Sequence, residues 1–490
     1  MFLLSCGGPG GGTPDAADAS DPVDAGPDAP PDASFGGVSV VIPSPSADGD
    51  RFGSDVAISA DGNTIAVAAP FEDSSIPGIN VQPNELATDS GAVYVYVRNG
   101  STWTRQAYLK GSYPAANATF GMQVALSADG NTLAATAFND SSAMTGINVP
   151  PGSGVAYGSG AVYVFSRAGS TWTQQAHIKS ANSEGSTASD ATGDLFGSSV
   201  DISDDGNTLL VTALGENSGA PGINGDQNDN SIQDSGAAYV FARTAQAWAQ
   251  VAYIKSDSPS LSGRFGIGSA ISADGKVVAI ASRANNGDVR VFTGAGAVWT
   301  QRSVLAPPQP HMGTDFGIAL ELSADGETLV IAARRDSSGA SGIDGDPTYV
   351  FAFELSGAAL TYRRAGDSWI QASYFKASNP GKNDVFGTGL ALSNDANVLL
   401  VGSPFEGSSA IGTGGDQSNN DAPYSGAAYR FARTGAVWAQ FAYLKSSDSS
   451  VAQDYFGDRV AISANGSTVV CGASAKDVGG PNAGAIYIYE

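Results

Sequence analysis

Cysteine and histidine are almost missing from this chain of 490 residues: two of each, Cys6, Cys471, His177 and His311. Two cysteines make no disulfide framework. Two histidines leave no multi-histidine metal site and little room for histidine-based acid–base catalysis. Positive charge is scarce as well, with 24 Lys and Arg against 48 Asp and Glu, a formal net charge of −24. A nucleic-acid partner needs a basic face to displace counterions, so that class is excluded. No apolar run reaches the roughly 18 residues that a membrane-spanning helix requires. What the chain has is 63 glycines and a hydrophobic fraction of 42%. That composition permits a stable, acidic, β-rich scaffold with ample core.

Residues 1–34 stand apart. They hold six of the acids, Asp15, Asp18, Asp21, Asp24, Asp28 and Asp32, among Ala, Pro and Gly, and no basic residue occurs before Arg51. So little apolar surface cannot offset the entropy of ordering the chain, and the segment is expected to be a disordered, extended tether. The run Leu3-Leu4-Ser5-Cys6-Gly7 resembles a bacterial lipoprotein lipobox. That resemblance implies lipidation at Cys6 and an extracytoplasmic, membrane-anchored or surface location.

From residue 52 onward the chain repeats itself. Phe-Gly recurs at Phe52, Phe120, Phe196, Phe265, Phe316, Phe386 and Phe456. Each pair leads into a short apolar strand such as Val56-Ala57-Ile58, and then a turn: Asp61-Gly62, Asp129-Gly130, Asp205-Gly206, Asp274-Gly275, Asp325-Gly326, Asp395-Ala396, Asn465-Gly466. Asp-Gly and Asn-Gly accept positive φ, so these turns read as two-residue hairpins joining strand 1 to strand 2. A long loop leads to strand 3, such as Gly91-Ala92-Val93-Tyr94-Val95-Tyr96. A second tight turn leads to strand 4, which carries Trp103, Trp172, Trp248, Trp299, Trp369 or Trp438. The seventh unit ends at Glu490 with no strand 4. Val40, in the run Val38-Ser39-Val40-Val41-Ile42, lies as far before Phe52 as Tyr108, Tyr253 and Tyr374 lie before their next Phe-Gly. Residues 38–42 are therefore positioned to supply the missing outer strand. Four-stranded units repeated radially, with both chain ends in one blade, describe an all-β, closed seven-bladed β-propeller over residues 35–490.

A Phe-Gly opening, a hairpin, a tripeptide such as Ala68-Ala69-Pro70 or Gly402-Ser403-Pro404, and a Gly-Ala-x-Tyr-x-Phe strand resemble FG-GAP repeats. The likeness is to bacterial FG-GAP-like propellers and to the N-terminal propeller of integrin α-subunits. Integrin repeats often hold calcium between strands 1 and 2. Here that loop offers one carboxylate, as at Asp61, where calcium prefers six to eight oxygens, so those sites do not carry over. Calcium has a different foothold in the third and sixth units. Asp226, Asn228 and Asn230, with Asp234 near, and Asp416, Ser418 and Asn420, with Asp421 near, place oxygens at alternate positions. Such spacing suits either a calcium ion or ordinary Asx turns.

Other residues read as architecture. Gly78-Ile79-Asn80 and its counterparts at 146–148, 222–224 and 342–344 suggest an inward-plugged Ile, with an Asn or Asp bonding its own backbone. Lys110, Lys179, Lys255, Lys376 and Lys445 recur near the end of strand 4, where Lys deters edge-to-edge pairing. His177 replaces the strand-4 Tyr and reads as structural, and Cys471 as a small buried hydrophobe. Tyr349-Val350-Phe351-Ala352-Phe353 suits an extra strand over blade 5 or a contact patch.

The 2–3 and 4–1 loops should share one face, raised on blades 1–3 and 5–6. Long polar loops on a rigid scaffold are where recognition lives. The expectation is a non-catalytic, monomeric, adhesion-like module that binds protein or glycan through those loops. The alternatives are a hydrolase or lyase using loop carboxylates, or a structural protein of envelope assembly.

Overall fold

A computed structural model describes residues 35, 37–44, 47–151, 154–185, 193–284, 287–448 and 452–490. The tether and Cys6 lie outside the described residues. The rest forms seven antiparallel sheets around one axis, with no α-helix among the described residues. Blade 1 shows the pattern: Val56–Ile58 innermost, then Thr64–Ala69, Ala92–Asn99 and, outermost, Thr102–Lys110. The second strand is buried along its whole length in this blade. Sheets covered on both faces read as continuous apolar runs, as Ile65 to Ala69 does.

The N-terminal strand closes the ring. Val38–Val41 pairs antiparallel with Ala485–Tyr489, matching Val38 to Tyr489 and Val40 to Tyr487, outside Val469–Ala473 and Phe456–Ile462. Ile42 falls just beyond the strand. Seven hydrophobic clusters fill the wedges between neighbouring blades. Between blades 7 and 1, for example, Phe52, Val56 and Tyr94 meet Ala461, Val470 and Ile486. The aromatic rings of strands 3 and 4 thus occupy the place their size suggested.

Phe-Gly proves to be the clasp between consecutive blades. The Phe120 N–H donates to the Ser90 carbonyl, and Gly121 donates to Thr136 across its own blade. At this crossing Gly91 has φ +84°, and a Cβ there would collide with the Phe120 backbone, so glycine is required. A bulge in the hairpin joining strands 3 and 4 gives a second clasp. Gln106, the extra residue between Arg105 and Ala107, accepts from Trp172 Nε1 of the next blade at 2.9 Å. Gln175 does the same for Trp248 at 2.8 Å.

Two local expectations are corrected, and of the two alternatives for residues 349–353 the extra strand is removed. The Asp-Gly turns are not two-residue hairpins: Ser59 donates its N–H to the Thr64 carbonyl, leaving four residues in the loop. Asp61 works through its side chain, accepting from Ser59 Oγ and the Asn63 N–H, and Gly62 alone takes the positive φ, +71°. In the Gly-Ile-Asn segments the Asn does not bond its own backbone. Asn80 Oδ1 accepts from the Tyr108 N–H at 2.9 Å, and the Asn80 N–H donates to the Tyr108 carbonyl at 2.8 Å. Asn148, Asn224 and Asp344 accept likewise from His177, Tyr253 and Tyr374. The loop therefore folds over strand 4 and covers its edge, while Ile79, Ile147, Ile223 and Ile343 pack on the core. Finally, residues 349–353 form no long strand. Tyr349 makes one bridge to Ser338, and Phe351–Phe353 is a 3₁₀ turn with Phe351 exposed.

Candidate functional site

The recurring lysines do not guard an edge. Lys110, Lys179, Lys255, Lys376 and Lys445 have side chains 0–1% exposed, each locked to a carboxylate at the start of its blade's 2–3 loop. The partners are Glu72 at 2.8 Å, Asp140 at 2.7 Å, Glu216 at 2.6 Å, Asp336 at 2.9 Å and Glu406 at 2.8 Å. Each Nζ also donates to a serine at the loop's end, Ser90, Ser159, Ser235, Ser356 or Ser425, at 2.6–2.7 Å. One buried cation thus ties both ends of the loop to strand 4. An ammonium out of water is tolerated only when paired and hydrogen-bonded like this. Burial lowers the lysine pKa values. It pushes Asp140 and Asp336 up, but Lys179 and Lys376 outweigh it and hold both carboxyls below the ordinary range.

The sequence carried this signal between repeats. Where Lys is present, an acid stands three residues after strand 2 and Ser-Gly-Ala opens strand 3. In the seventh unit all three change together: Ile42 replaces Lys, Lys476 replaces the acid and Ala483 replaces Ser. Lys476 there bonds Asp454 at 3.0 Å. The fourth unit has a 2–3 loop of only residues 283–287 and substitutes an Asp288–Arg290 pair. In blade 2, His177 replaces the tyrosine that elsewhere bonds the acid, as Tyr108 bonds Glu72 at 2.8 Å. It is buried against Tyr113 and Tyr163, and burial lowers its pKa to about 4, so it is neutral.

The first strands leave a polar cavity of about 310 Å³ on the axis. Asp55, Asp201 and Glu321, from blades 1, 3 and 5, face it. Burial pushes Asp55 up to about 6, against the pull of Arg459, and Asp201 up to about 7, against a hydrogen bond from Ser269. Glu321 is raised well above the carboxylate range, by burial first and then by the other two charges. Asp55 also accepts the Val124 N–H at 2.8 Å. Above this cavity, on the loop-bearing face, two pockets of about 330 and 360 Å³ adjoin and share Asp458.

The calcium candidates are engaged in turns. Asp226 Oδ1 accepts the Asn228 N–H at 3.0 Å, and Asp416 Oδ1 accepts the Ser418 N–H at 2.8 Å and its hydroxyl at 2.6 Å. Asn230 donates to Glu184 at 2.7 Å, and the Asp234 N–H donates to Asn217. Asn420 lies against Gly407, and the Asp421 N–H reaches Asn419 Oδ1 at 3.4 Å. Among the described residues no three His, Cys, Asp or Glu side chains are grouped to hold a metal ion. His311 sits 3.2 Å from Asp336, and Cys471 is a buried free thiol.

The family model for the FG-GAP repeat matches residues 36–96 and 438–489, the two ends of the chain that meet at the ring closure. The chain is an FG-GAP-like β-propeller. Two solved structures of candidate 6-phosphogluconolactonases share its outline. For the one from Bacteroides fragilis the identity is 13%, with 81% of this chain and 86% of that chain covered at a TM-score of 0.47. For the one from Bacteroides uniformis the identity is 11%, with 81% and 87% covered at a TM-score of 0.44. Neither supports an argument about the activity of this FG-GAP propeller. No curated protein matches it.

Proposed function

We propose that this propeller is a non-catalytic, extracytoplasmic binding module, held to the envelope through Cys6 and its tether. It recognises a protein or glycan on the face that carries the 2–3 and 4–1 loops. The observation that supports this is the repeated anchoring of those loops. In five blades a buried lysine joins both loop ends to strand 4, and a Gly-Ile-Asn-type segment or its equivalent, such as Thr413 on Leu444, pins the middle. Loops fixed before the ligand arrives lose little entropy on binding it. The test is a glycan array and surface-protein panel probed with the intact propeller and with a variant shortened at residues 81–86, 149–155 and 226–230. The buried lysine pairs and the Gly-Ile-Asn-type pins remain in that variant. Binding lost at unchanged melting temperature supports the reading; undiminished binding removes it from these loops.

The axial acids favour the second reading, a hydrolase or lyase. Carboxyls at about 6 and 7 are suited to proton transfer near neutrality. Turnover of any polysaccharide with a pH profile that breaks in that range, abolished in Asp55→Asn, would replace the binding-only reading.

A further inference from the structure

The seven blades are internal controls for one another: a residue type that the fold does not require at a repeated position has another reason to be there. Two residues beyond strand 2, the blades carry Phe71, Asn139, Gly215, Ala284, Arg335, Phe405 and Ala475. One residue beyond, they carry Pro70, Phe138, Leu214, Arg283, Arg334, Pro404 and Ser474. These positions ring the axial mouth, and their identities are not shared, so the fold accepts almost anything. Yet arginines gather here on a chain of net charge −24.

The two adjoining pockets have the same make-up. The larger, between blades 5 and 6, sets Arg334 and Arg335 against Phe405, with Leu355 from the loop that follows 349–353 as a further wall. The smaller sets Arg51 and Arg459 against Phe71 and Phe138. Asp315 receives Arg334 at 3.0 Å and Arg283 at 3.6 Å, so one carboxylate faces two guanidinium groups. Arg459 lies 3.5 Å from Asp458 and 3.6 Å from Asp55. Arg335 is exposed, and among the described residues no carboxylate lies within ion-pair reach of it. Arg51 stacks over Phe71 at 5.3 Å. Phe405, itself a wall of the larger pocket, and Tyr424 are 38% and 42% exposed, and the ring centres of Tyr424 and Tyr455 lie 5.3 and 5.6 Å from that of Phe405. The backbone at 424 and 455 has the positive φ found at equivalent positions in other blades, such as Asp89 and Arg51. Only the aromatic side chains are particular to this corner.

The geometry points to the axial mouth as a binding site for an acidic polysaccharide, with one anionic sugar ring in each of the two adjoining pockets. This rests on the binding-face reading above and names its ligand class. Guanidinium groups fork onto carboxylate or sulfate oxygens, and exposed aromatic faces cover the apolar face of a sugar ring. Pockets above 300 Å³ admit small ring ligands. Two like pockets that share a wall suit a polymer repeating its charge, more than a single small anion. The chain's net negative charge is screened by salt beyond about 8 Å, and the two carboxylates that line the pockets are each paired with arginine, Asp315 with Arg334 and Arg283 and Asp458 with Arg459.

The experiment is affinity electrophoresis of the intact propeller in gels containing polygalacturonate, dextran sulfate, neutral dextran or poly-glutamate. The expected result is retardation by at least one acidic polysaccharide and none by dextran; which acidic gel retards it tells a sugar carboxylate from a sulfate ester. Arg335→Glu and Phe405→Ala, both exposed and expected to melt like the parent, should each weaken binding at least tenfold. Added salt should weaken it further. Retardation by neither acidic polysaccharide, or equal retardation of both variants and the parent, overturns the proposal. So does equal binding to poly-glutamate that ignores Phe405→Ala, which would make the site one for acidic peptides. If retardation is lost on loop shortening and not in Arg335→Glu, the mouth assignment fails and the binding-face reading survives.

Discussion

Removing one buried lysine should cost as much as a core cavity, while removing the whole ion pair should cost less than the two single changes together. Lys255 and Glu216 offer the cleanest case, 2.6 Å apart with side chains 0% and 1% exposed. In Lys255→Met the Glu216 carboxylate keeps Tyr253 Oη at 2.8 Å and Asn182 Nδ2 at 3.2 Å but loses its counter-ion. Stranding a buried charge costs about 3–5 kcal/mol. Glu216→Leu strands the ammonium instead and should cost a similar amount. In the double variant neither charge remains. What is left is the Tyr253 hydroxyl, worth about 1–3 kcal/mol if unpaired, while Ser235 Oγ still donates to the Glu216 and Ser218 carbonyls. The double variant should therefore fall short of the summed single costs by at least about 2 kcal/mol. Unfolding entropy near 2.1 cal/mol/K per residue gives about 1 kcal/mol/K for about 450 folded residues. Each single change should then lower the melting temperature by about 3–5 °C, measured by scanning calorimetry at one scan rate. The internal control is Lys276, paired with Asp274 at 3.1 Å with side chains 63% and 53% exposed; Lys276→Met should cost below about 1 kcal/mol. Strict additivity of the two buried changes, or a Lys255→Met loss no greater than the control, would refute the anchoring argument.

Stability should fall as pH rises from 5 to 8.5. Asp55, Asp201 and Asp194 are pushed by burial up to about 6, 7 and 8, so the folded chain holds protons that the unfolded chain releases from about 3.8 upward. Their contribution is complete below that value and lost as pH climbs through 6 to 8; Asp201→Asn should flatten the profile, and a melting temperature that rises over this range refutes it. Calcium at about 1 mM should leave the melting temperature where excess EDTA puts it, since the Asp226 and Asp416 carboxylates are engaged by backbone N–H groups. A site of about 10 μM affinity would instead add about 2.7 kcal/mol, and a shift abolished by Asp226→Ala would restore the calcium reading. A chain starting at residue 48 should lose the cooperative melt and associate through the uncovered Ala485–Tyr489 edge; a monomer melting like the parent contradicts closure by Val38–Val41.

How much of this was legible depends on the kind of information involved. Phe-Gly, the turn residues and strand alternation recur along the chain, and they report local backbone shape, which neighbouring residues largely determine. Seven blades and the closing strand near Val40 followed from that periodicity alone. The same periodicity misplaced the lysines. Recurrence at the end of strand 4 is equally consistent with an edge guard and a buried cation, because it says nothing about what packs against the position. The joint change at Ile42, Lys476 and Ala483 in the seventh unit did hold the answer, since a buried charge and its partner must change together. The axial acids had no such trace. Asp55, Asp201 and Glu321 lie in three separate repeats, and only ring closure brings them to one cavity and raises their pKa values. The arginine–aromatic mouth is of the same kind. Sequence determined the blade, its count and its closure through local conformational preference; tertiary structure decided which side chains share a low-dielectric space, because that depends on what the ring places opposite them.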